Sequence, residues 1–411
     1  MKIYRVGGAV RDDLLGRPIS DRDYVVVGAT PEEMVARGFR PVGRDFPVFI
    51  HPESGEEYAL ARTERKSGRG YHGFTFHVAP GVTLEEDLSR RDLTINAMAR
   101  DADETLIDPY AGESDLHAGI LRHVSPAFAE DPLRVLRVAR FAARFDFAIA
   151  PETEALMRAI SGSGEIATLM PERVWQELSR ALMESHPARF FVVLRRCGAL
   201  AQLLPEIDAL FGVPQPVAHH PELDTGVHVL QALEYAAAAG DALPVRYAVL
   251  THDLGKGATA HAEWPRHIAH EQRGVRLVEA MSERLRAPAD CRELAVLAAR
   301  YHGTVHRATE LRTATLLDLL LATDALRRPE RLAGLLRACE ADALSRPGRS
   351  PEKYAPALWM NSALAVVKNV DAGAIARDNA DPVHLPARIR EARIEALRAW
   401  KKTAEVPPSA A

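Results

Sequence analysis

Cysteine is scarce in this chain: three residues in 411, at Cys197, Cys291 and Cys339. An odd number of widely separated thiols fits a reducing compartment better than a disulfide scaffold. Long apolar runs are missing as well. No stretch approaches the roughly 20 apolar residues that cross a bilayer, so no membrane partner is expected. The opening residues, MKIYRVGGAVRDD, meet charge too early for a secretion signal, and the chain is expected to be soluble and cytoplasmic. There is no excess of one charge either. Lysine and arginine number 52 against 56 aspartates and glutamates, a net −4, so no global field gathers polyanions and such a partner has to be met by local patches. Internal repeats are absent. What remains is 47% apolar and 26% charged, the composition of a soluble globular protein long enough for several cores.

Residues 1 to about 125 mix short strand-like runs (KIYRV, DYVVVG, PVFIH, EYALA, TLID) with helical pieces. After Pro132 the chain becomes leucine-, alanine- and arginine-rich helix, broken by Pro/Gly clusters near 161–171, 212–221, 240–244 and 346–356. The expected fold is α+β, a small mixed α/β head followed by a long all-α body. The expected boundaries are 1–125 for the head, 126–215 for a helical neck, 216–330 for a second domain and 331–411 for a helical tail. The last residues, AEVPPSAA, are expected to be disordered. Within the head, RTERKSGRGYHGFTF is basic and glycine-rich and is expected to form a mobile loop.

Four segments carry chemistry. In IYRVGGAVRDD a strand runs into Gly7-Gly8 and a helix bearing Arg11; paired glycines let backbone N–H groups approach a phosphate at a helix start. In DRDYVVVGAT, Asp21 and Asp23 precede an apolar β-branched run that reads as a strand covered on both faces. Residues two apart on a strand share a face, roughly 7 Å apart at Cα, so these carboxylates repel unless cations sit between them. RRDLTINA sets Asp92 and Asn96 one helical turn apart, with Arg91 suited to a triphosphate and Asp92 to a ribose hydroxyl. In EDPLRVLRVARFAARF, Asp131 is a helix N-cap before Pro132, and Arg134, Arg137, Arg140 and Arg144 form a cationic stripe that is either solvated or lines a nucleotide cleft.

These segments, in this order, resemble the class II nucleotidyltransferases of the polymerase-β-like superfamily, the bacterial CCA-adding enzymes and poly(A) polymerases. The resemblance covers about the first 200 residues. It implies Mg²⁺ on Asp21 and Asp23 as catalytic residues, and nucleotide contacts at Gly8, Arg11, Arg91, Arg137 and Arg140. It also implies a base-reading motif at Glu130-Asp131-x-x-Arg134. Cytosine and adenine both present an amino donor beside a ring-nitrogen acceptor, so a carboxylate next to a guanidinium, Asp131 with Arg134, fits these two bases and leaves unpaired groups against uracil and guanine.

The body offers a second constellation. VHVLQALEYA places His228, and YAVLTHDLGKG places His252 and Asp253, in helical surroundings. The order H…HD…D resembles the HD-domain metal phosphohydrolases. The last aspartate is Asp324, by spacing, with Asp342 its rival; His270 and His302 are candidates for a second ion. Imidazole mixed with carboxylate and no thiolate suits a transition metal such as Ni²⁺ or Mn²⁺. Head and body together imply a template-independent tRNA CCA-adding enzyme using CTP and ATP, with phosphatase and 2′,3′-cyclic phosphodiesterase activity in the body. Its expected state is monomer or homodimer. The rivals are a poly(A) polymerase and an HD hydrolase with a nucleotide-sensing head. If the glycine-rich loop moves as the RNA end grows, Gly68→Pro leaves C addition largely intact and impairs the final A; equal loss of both in single-nucleotide incorporation assays contradicts this.

Overall fold

The computed structural model describes residues 1–411 except 20, 43–47, 67–73, 79, 216–223, 346–353, 378–382 and 406–411. The chain divides into two compact units. The first comprises Met1–Ala181 with Arg189–Leu203, and the second Leu182–Ala188 with Leu204–Ala411.

The first unit opens with β1 (Lys2–Val6), α1 (Gly8–Leu14), β2 (Asp23–Val27) and α2 (Pro31–Ala36). Strands β3 (Arg40–Val42), β4 (Val48–Ile50) and β5 (Glu57–Leu60) follow, then β6 (Arg62–Lys66) and β7 (Phe74–Val78). After α3 (Leu84–Ser89) come β8 (Ala99–Arg100), β9 (Leu106–Ile107) and α4 (Gly112–Ala118). Seven strands form one sheet in the order β3-β4-β5-β2-β1-β8-β9. β2 is antiparallel to β1 and parallel to β5, so it lies inside the sheet. Its alternating side chains enter two cores, as its continuous apolar run requires. Val25 packs with Val6, Val82, Leu84 and Leu88, and Val26 with Met34, Phe39, Phe49 and Leu60.

The expected mobile loop is partly strand. β6 and β7 pair antiparallel from Arg62↔Val78 to Lys66↔Phe74, while residues 67–73, including Gly68, lie outside the described residues. Charged and glycine-rich composition argued for a loop, but a hairpin needs backbone pairing and not apolar side chains. The C-terminal residues expected to be disordered lie outside the described residues from 406 on.

Beyond the sheet run α5 (Leu133–Phe145), α6 (Pro151–Gly162), α7 (Pro171–Leu182) and α8 (Pro187–Arg196). The second unit is helical. The helices Thr225–Ala238, Leu243–Thr251, Ala289–His306 and Pro329–Leu344 pack on one another, and His270–Leu285 packs on Ala289–His306. The boundary expected at 330/331 falls at the start of the helix Pro329–Leu344, which packs against the helices bearing His228 and His302.

The short helix α3 is held by its N-terminus. Thr83 accepts from Glu86 N at 3.2 Å, and Glu86 Oε2 accepts from Thr83 N at 2.8 Å, a reciprocal capping box. α3 carries Asp87, which is fully buried and pairs with Arg90 and Arg91. Thr83→Ala is expected to cost about 1 kcal/mol, read as a lower urea midpoint at unchanged slope; an unshifted midpoint contradicts it.

Candidate functional site

At the edge of the head, Asp23 opens β2 and stands in register with Glu57, the first residue of β5. In a parallel pair these two share a face, and Tyr24 and Tyr58 stack on the other with ring centroids 4.5 Å apart. Asp21 lies just ahead of the paired residues rather than inside the strand. Asp21, Asp23, Glu56 and Glu57, with Ser54 and Gly55, line a cleft of about 590 Å³. Glu57 is a carboxylate that sequence reading missed, because only the β2–β5 register brings it beside Asp23.

Asp23 remains solvent-accessible, yet its carboxyl pKa is raised. Partial burial is the main cause, opposed by Arg91 and reinforced by the nearby Asp21. Oxygen donors crowded against their own repulsion suit a hard cation such as Mg²⁺, and these residues fit one.

Upstream, Gly7 takes φ +69°, a conformation that lets β1 turn directly into α1. A Cβ at Gly7 would sit 2.8 Å from Nη1 of Arg91, whereas a Cβ at Gly8 would meet only the Arg11 guanidinium at 3.5 Å. Arg11 itself is buried, which differs from an open phosphate ligand. It donates to Asp12 at 2.9 Å and to Asn96 Oδ1, and its guanidinium lies 5.2 and 5.0 Å from the rings of Phe141 and Phe145. Burial lowers its pKa, with Asp12 opposing.

Asp92 and Asn96 are brought together as expected, although residues 94–96 form a 3₁₀ turn and not an α-helix. Asp92 accepts from Leu93 N at 2.8 Å, Asn96 Nδ2 at 2.9 Å and Arg137 Nε at 2.7 Å. Burial alone would raise its pKa, but Arg137 and these hydrogen bonds hold it well below the usual range. A carboxylate offers about four lone-pair sites, so these three donors leave one for a further hydroxyl.

The arginine stripe of α5 is only partly solvated. Arg134 and Arg140 are buried, Arg140 donates to Glu177 of α7 at 2.7 Å, and Arg144 to Asp12 at 3.0 Å. Arg137, Arg140 and Arg144 are paired with acids distant in sequence, which no helical periodicity reveals. Asp131 and Arg134 also differ from the expected acceptor–donor pair. Asp131 caps Leu133 N at 3.0 Å and accepts from Arg173 Nη2 at 2.9 Å, while Arg134 donates to the carbonyls of Ala127 and Arg90.

The second unit gathers a cluster of imidazoles and carboxylates. His228, His252 and Asp342 place ligand atoms within 4.8 Å of one another, and so do Asp253, His270 and His302. The choice between Asp324 and Asp342 falls to Asp342, whose Oδ1 lies 2.9 Å from His228 Nε2 and Oδ2 3.7 Å from His252 Nε2. Asp324 corrects the spacing argument: its carboxylate is held by Arg327 at 2.8 Å from both Nε and Nη2. Gly255 lets Asp253 reach His270, since a Cβ there would meet the His270 carbonyl oxygen at 1.9 Å.

Three histidines have their tautomer set by backbone carbonyls. Nδ1 of His252, His270 and His302 donates to Val249, His267 and Ala298 at 2.7, 3.0 and 2.9 Å, which turns each Nε2 toward the cluster. Two buried atoms, His252 Nε2 and Asp253 Oδ1, have no hydrogen-bond partner among the described residues. Burial opposes charge on His252, but Asp253 and Asp342 outweigh it and push its pKa up to about 9; burial pushes His302 down to about 3. Lys256, missed in the sequence, bridges Asp253 Oδ2 and Gln215 Oε1 at 2.7 Å each. Inward-facing Nε2 atoms, carboxylates and orphaned donors fit a transition metal.

A mixed-sheet nucleotide head and a helical imidazole–carboxylate cluster define a chain with a polymerase-type head and an HD domain. Residues 3–122 match the family described as "Poly A polymerase head domain", 146–211 "Probable RNA and SrmB- binding site of polymerase A", and 225–346 "HD domain". The "Multifunctional CCA protein" of Azoarcus sp. (strain BH72) is 63% identical over 410 residues, covering 100% of this chain and 99% of the relative. That of Nitrosomonas europaea is 60% identical over 405 residues, covering 97% and 98%. The chain belongs to the multifunctional CCA protein family. Two solved structures share the fold. The Bacillus stearothermophilus CCA-adding enzyme in complex with CTP has TM-score 0.62 at 24% identity, covering 98% of this chain and 95% of that one. The Thermotoga maritima CCA-adding enzyme complexed with tRNA_CCA has TM-score 0.61 at 19% identity, covering 97% and 91%.

A carboxyl whose folded-state pKa is raised stabilises the fold least once it ionises: stability falls as pH rises from its unfolded to its folded pKa. Asp23 is such a group, so Asp23→Asn is expected to raise the melting temperature in chelator at pH 7, with the gain shrinking toward acid pH. Mg²⁺ is expected to stabilise the native chain but not the variant. A lower melting temperature for Asp23→Asn contradicts this.

Proposed function

We propose that this protein adds and repairs the 3′-terminal CCA of tRNA from CTP and ATP without a nucleic-acid template, and that its HD domain hydrolyses phosphoesters, including 2′,3′-cyclic phosphates. The observation that carries the first part is the acidic cleft of Asp21, Asp23 and Glu57, set in a chain related over its whole length to multifunctional CCA proteins. Mg²⁺ held by Asp21 and Asp23 would activate the RNA 3′-hydroxyl and neutralise the leaving pyrophosphate. Around it, the Gly7-Gly8 turn and Arg91 receive the triphosphate, and the remaining lone pair of Asp92 orients the ribose. Arg137 and Arg140 hold the acids of that pocket in place. Asp131 supplies the acceptor for the amino group of cytosine or adenine, with Arg134 and Arg173 as the neighbouring guanidiniums.

In the HD domain, His228, His252 and Asp342 would hold a transition metal, Ni²⁺ or Mn²⁺ by donor type, with Asp253 beside His252 as a further ligand, and Asp253, His270 and His302 would offer a place for a second ion. Such a metal supplies a hydroxide at neutral pH. The burial of the ligands and the fixed orientation of each imidazole keep the donors aimed at one point.

The test uses tRNA lacking its 3′ end, Mg²⁺ and each nucleoside triphosphate singly, with the products sequenced. Two C residues from CTP, then one A once both C are present, are expected; runs of A without C point to a poly(A) polymerase. His252→Ala is expected to abolish hydrolysis of a 2′,3′-cyclic phosphate while CCA addition continues, and Asp23→Ala to do the reverse. Loss of both activities in either variant contradicts two independent centres.

A further inference from the structure

One histidine beside the second cluster lies outside the two groups whose ligand atoms come within 4.8 Å of one another. His306 lies one helical turn beyond His302 on the same helix, with ring centroids 6.2 Å apart. Its Nε2 lies 2.7 Å from Asp342 Oδ2, and its Nδ1 lies 2.7 Å from the hydroxyl of Tyr354. An ionised carboxylate only accepts, so Nε2 of His306 carries the proton. In the neutral ring Nδ1 is then an acceptor, and the Tyr354 hydroxyl donates to it. His252, His270 and His302 hold the opposite tautomer, with Nδ1–H on a carbonyl and Nε2 toward the cluster. The side chain of His306 is also more open, 25% exposed against 7% or less for His228, His252 and His302.

Asp342 is thus gripped from two sides. Oδ1 meets His228 Nε2 at 2.9 Å, and Oδ2 meets His306. Asp342 reaches the cluster from a helix 36 residues on from His306, so the contact between them is made by helix packing. Tyr354 is buried and begins the helix Ala355–Lys368, which anchors the imidazole from behind. Resting on the metal reading of this cluster, we infer that His306, held between Tyr354 and Asp342, is a positioning residue that fixes the carboxylate of Asp342 for the ion held with His228 and His252. Partners of this kind orient a ligand oxygen and keep it basic, and their loss typically lowers metal affinity about 10–100-fold.

The experiment measures Mn²⁺ binding to the full chain by equilibrium dialysis with elemental analysis, in the absence of substrate. Wild type is compared with His306→Ala, His306→Gln and Tyr354→Phe, each checked for a native melting temperature in chelator. His306→Ala is expected to weaken binding about 10–100-fold. His306→Gln, whose amide N–H can still donate to Asp342, is expected to recover most of that loss. Tyr354→Phe is expected to fall between, because Nδ1 then loses its hydrogen-bond donor and the ring its rear anchor, while Nε2–H still faces Asp342. Wild-type affinity in His306→Ala overturns the inference while leaving the metal site standing. Equal loss in the Ala and Gln variants also overturns it, since His306 is then a ligand itself. A wild-type chain that takes up no Mn²⁺ overturns the metal reading and this role together.

Discussion

Ligand-type side chains held close together, against their own repulsion in the head and with their rotation fixed in the helical unit, are the constraint on which both sites depend. In the head, Asp21, Asp23 and Glu57 face one cleft, and burial together with Asp21 disfavours ionisation of Asp23. In the helical unit, imidazoles and two carboxylates converge so that His252 Nε2 and Asp253 Oδ1 have no hydrogen-bond partner among the described residues, only one another's side chains and their neighbours at ion-pair distance. An isolated strand or helix would relax such crowding by turning its side chains away. Here the surrounding packing prevents it, and in the head the repulsion between Asp21 and Asp23 is left for a cation to relieve.

The two units prevent relaxation by different means. β2 is fixed by strands on both sides and by apolar contacts on both faces, with Val25 and Val26 at 2% and 1% exposure, so the backbone beneath Asp23 has little freedom. The helical cluster has no sheet. Each ligand comes from a different helix or bend, and its direction is set by a second hydrogen bond: carbonyls for His252, His270 and His302, His306 for Asp342, and Lys256 for Asp253. Around α5 the first unit uses a third device, a set of guanidinium–carboxylate pairs whose carboxylates are buried. Asp92 with Arg137, Glu177 with Arg140 and Asp12 with Arg144 are layered on the stacked rings of Phe141 and Phe145. Removing one member of such a pair leaves a buried charge alone, which is far costlier than the pair's net contribution.

What was legible in the sequence was local. The strand after Asp23, the strand–glycine–helix turn at Gly7 and the Asp92–Asn96 contact follow from apolar runs, paired glycines and short spacing, and the structure contains each. What was not legible depends on register or on helix packing. Glu57 joins the cleft only through its pairing with Asp23, Glu177 meets Arg140 across 37 residues, and Asp342 meets His228 across 114. Asp324 had the better spacing, but it sits beside Arg327 and Arg328 and pairs with them. The β6–β7 hairpin was hidden for a related reason: its pairing lies in the backbone, while its side-chain composition reads as loop.

The most direct measurement is anomalous diffraction at the manganese edge from crystals soaked in Mn²⁺, which reports where cations sit irrespective of activity. Peaks are expected between Asp21, Asp23 and Glu57 in the head, and between His228, His252 and Asp342 in the HD domain. Soaked crystals with ordered side chains but no peak at either carboxylate cluster would contradict the claim that these crowded groups are built to hold cations.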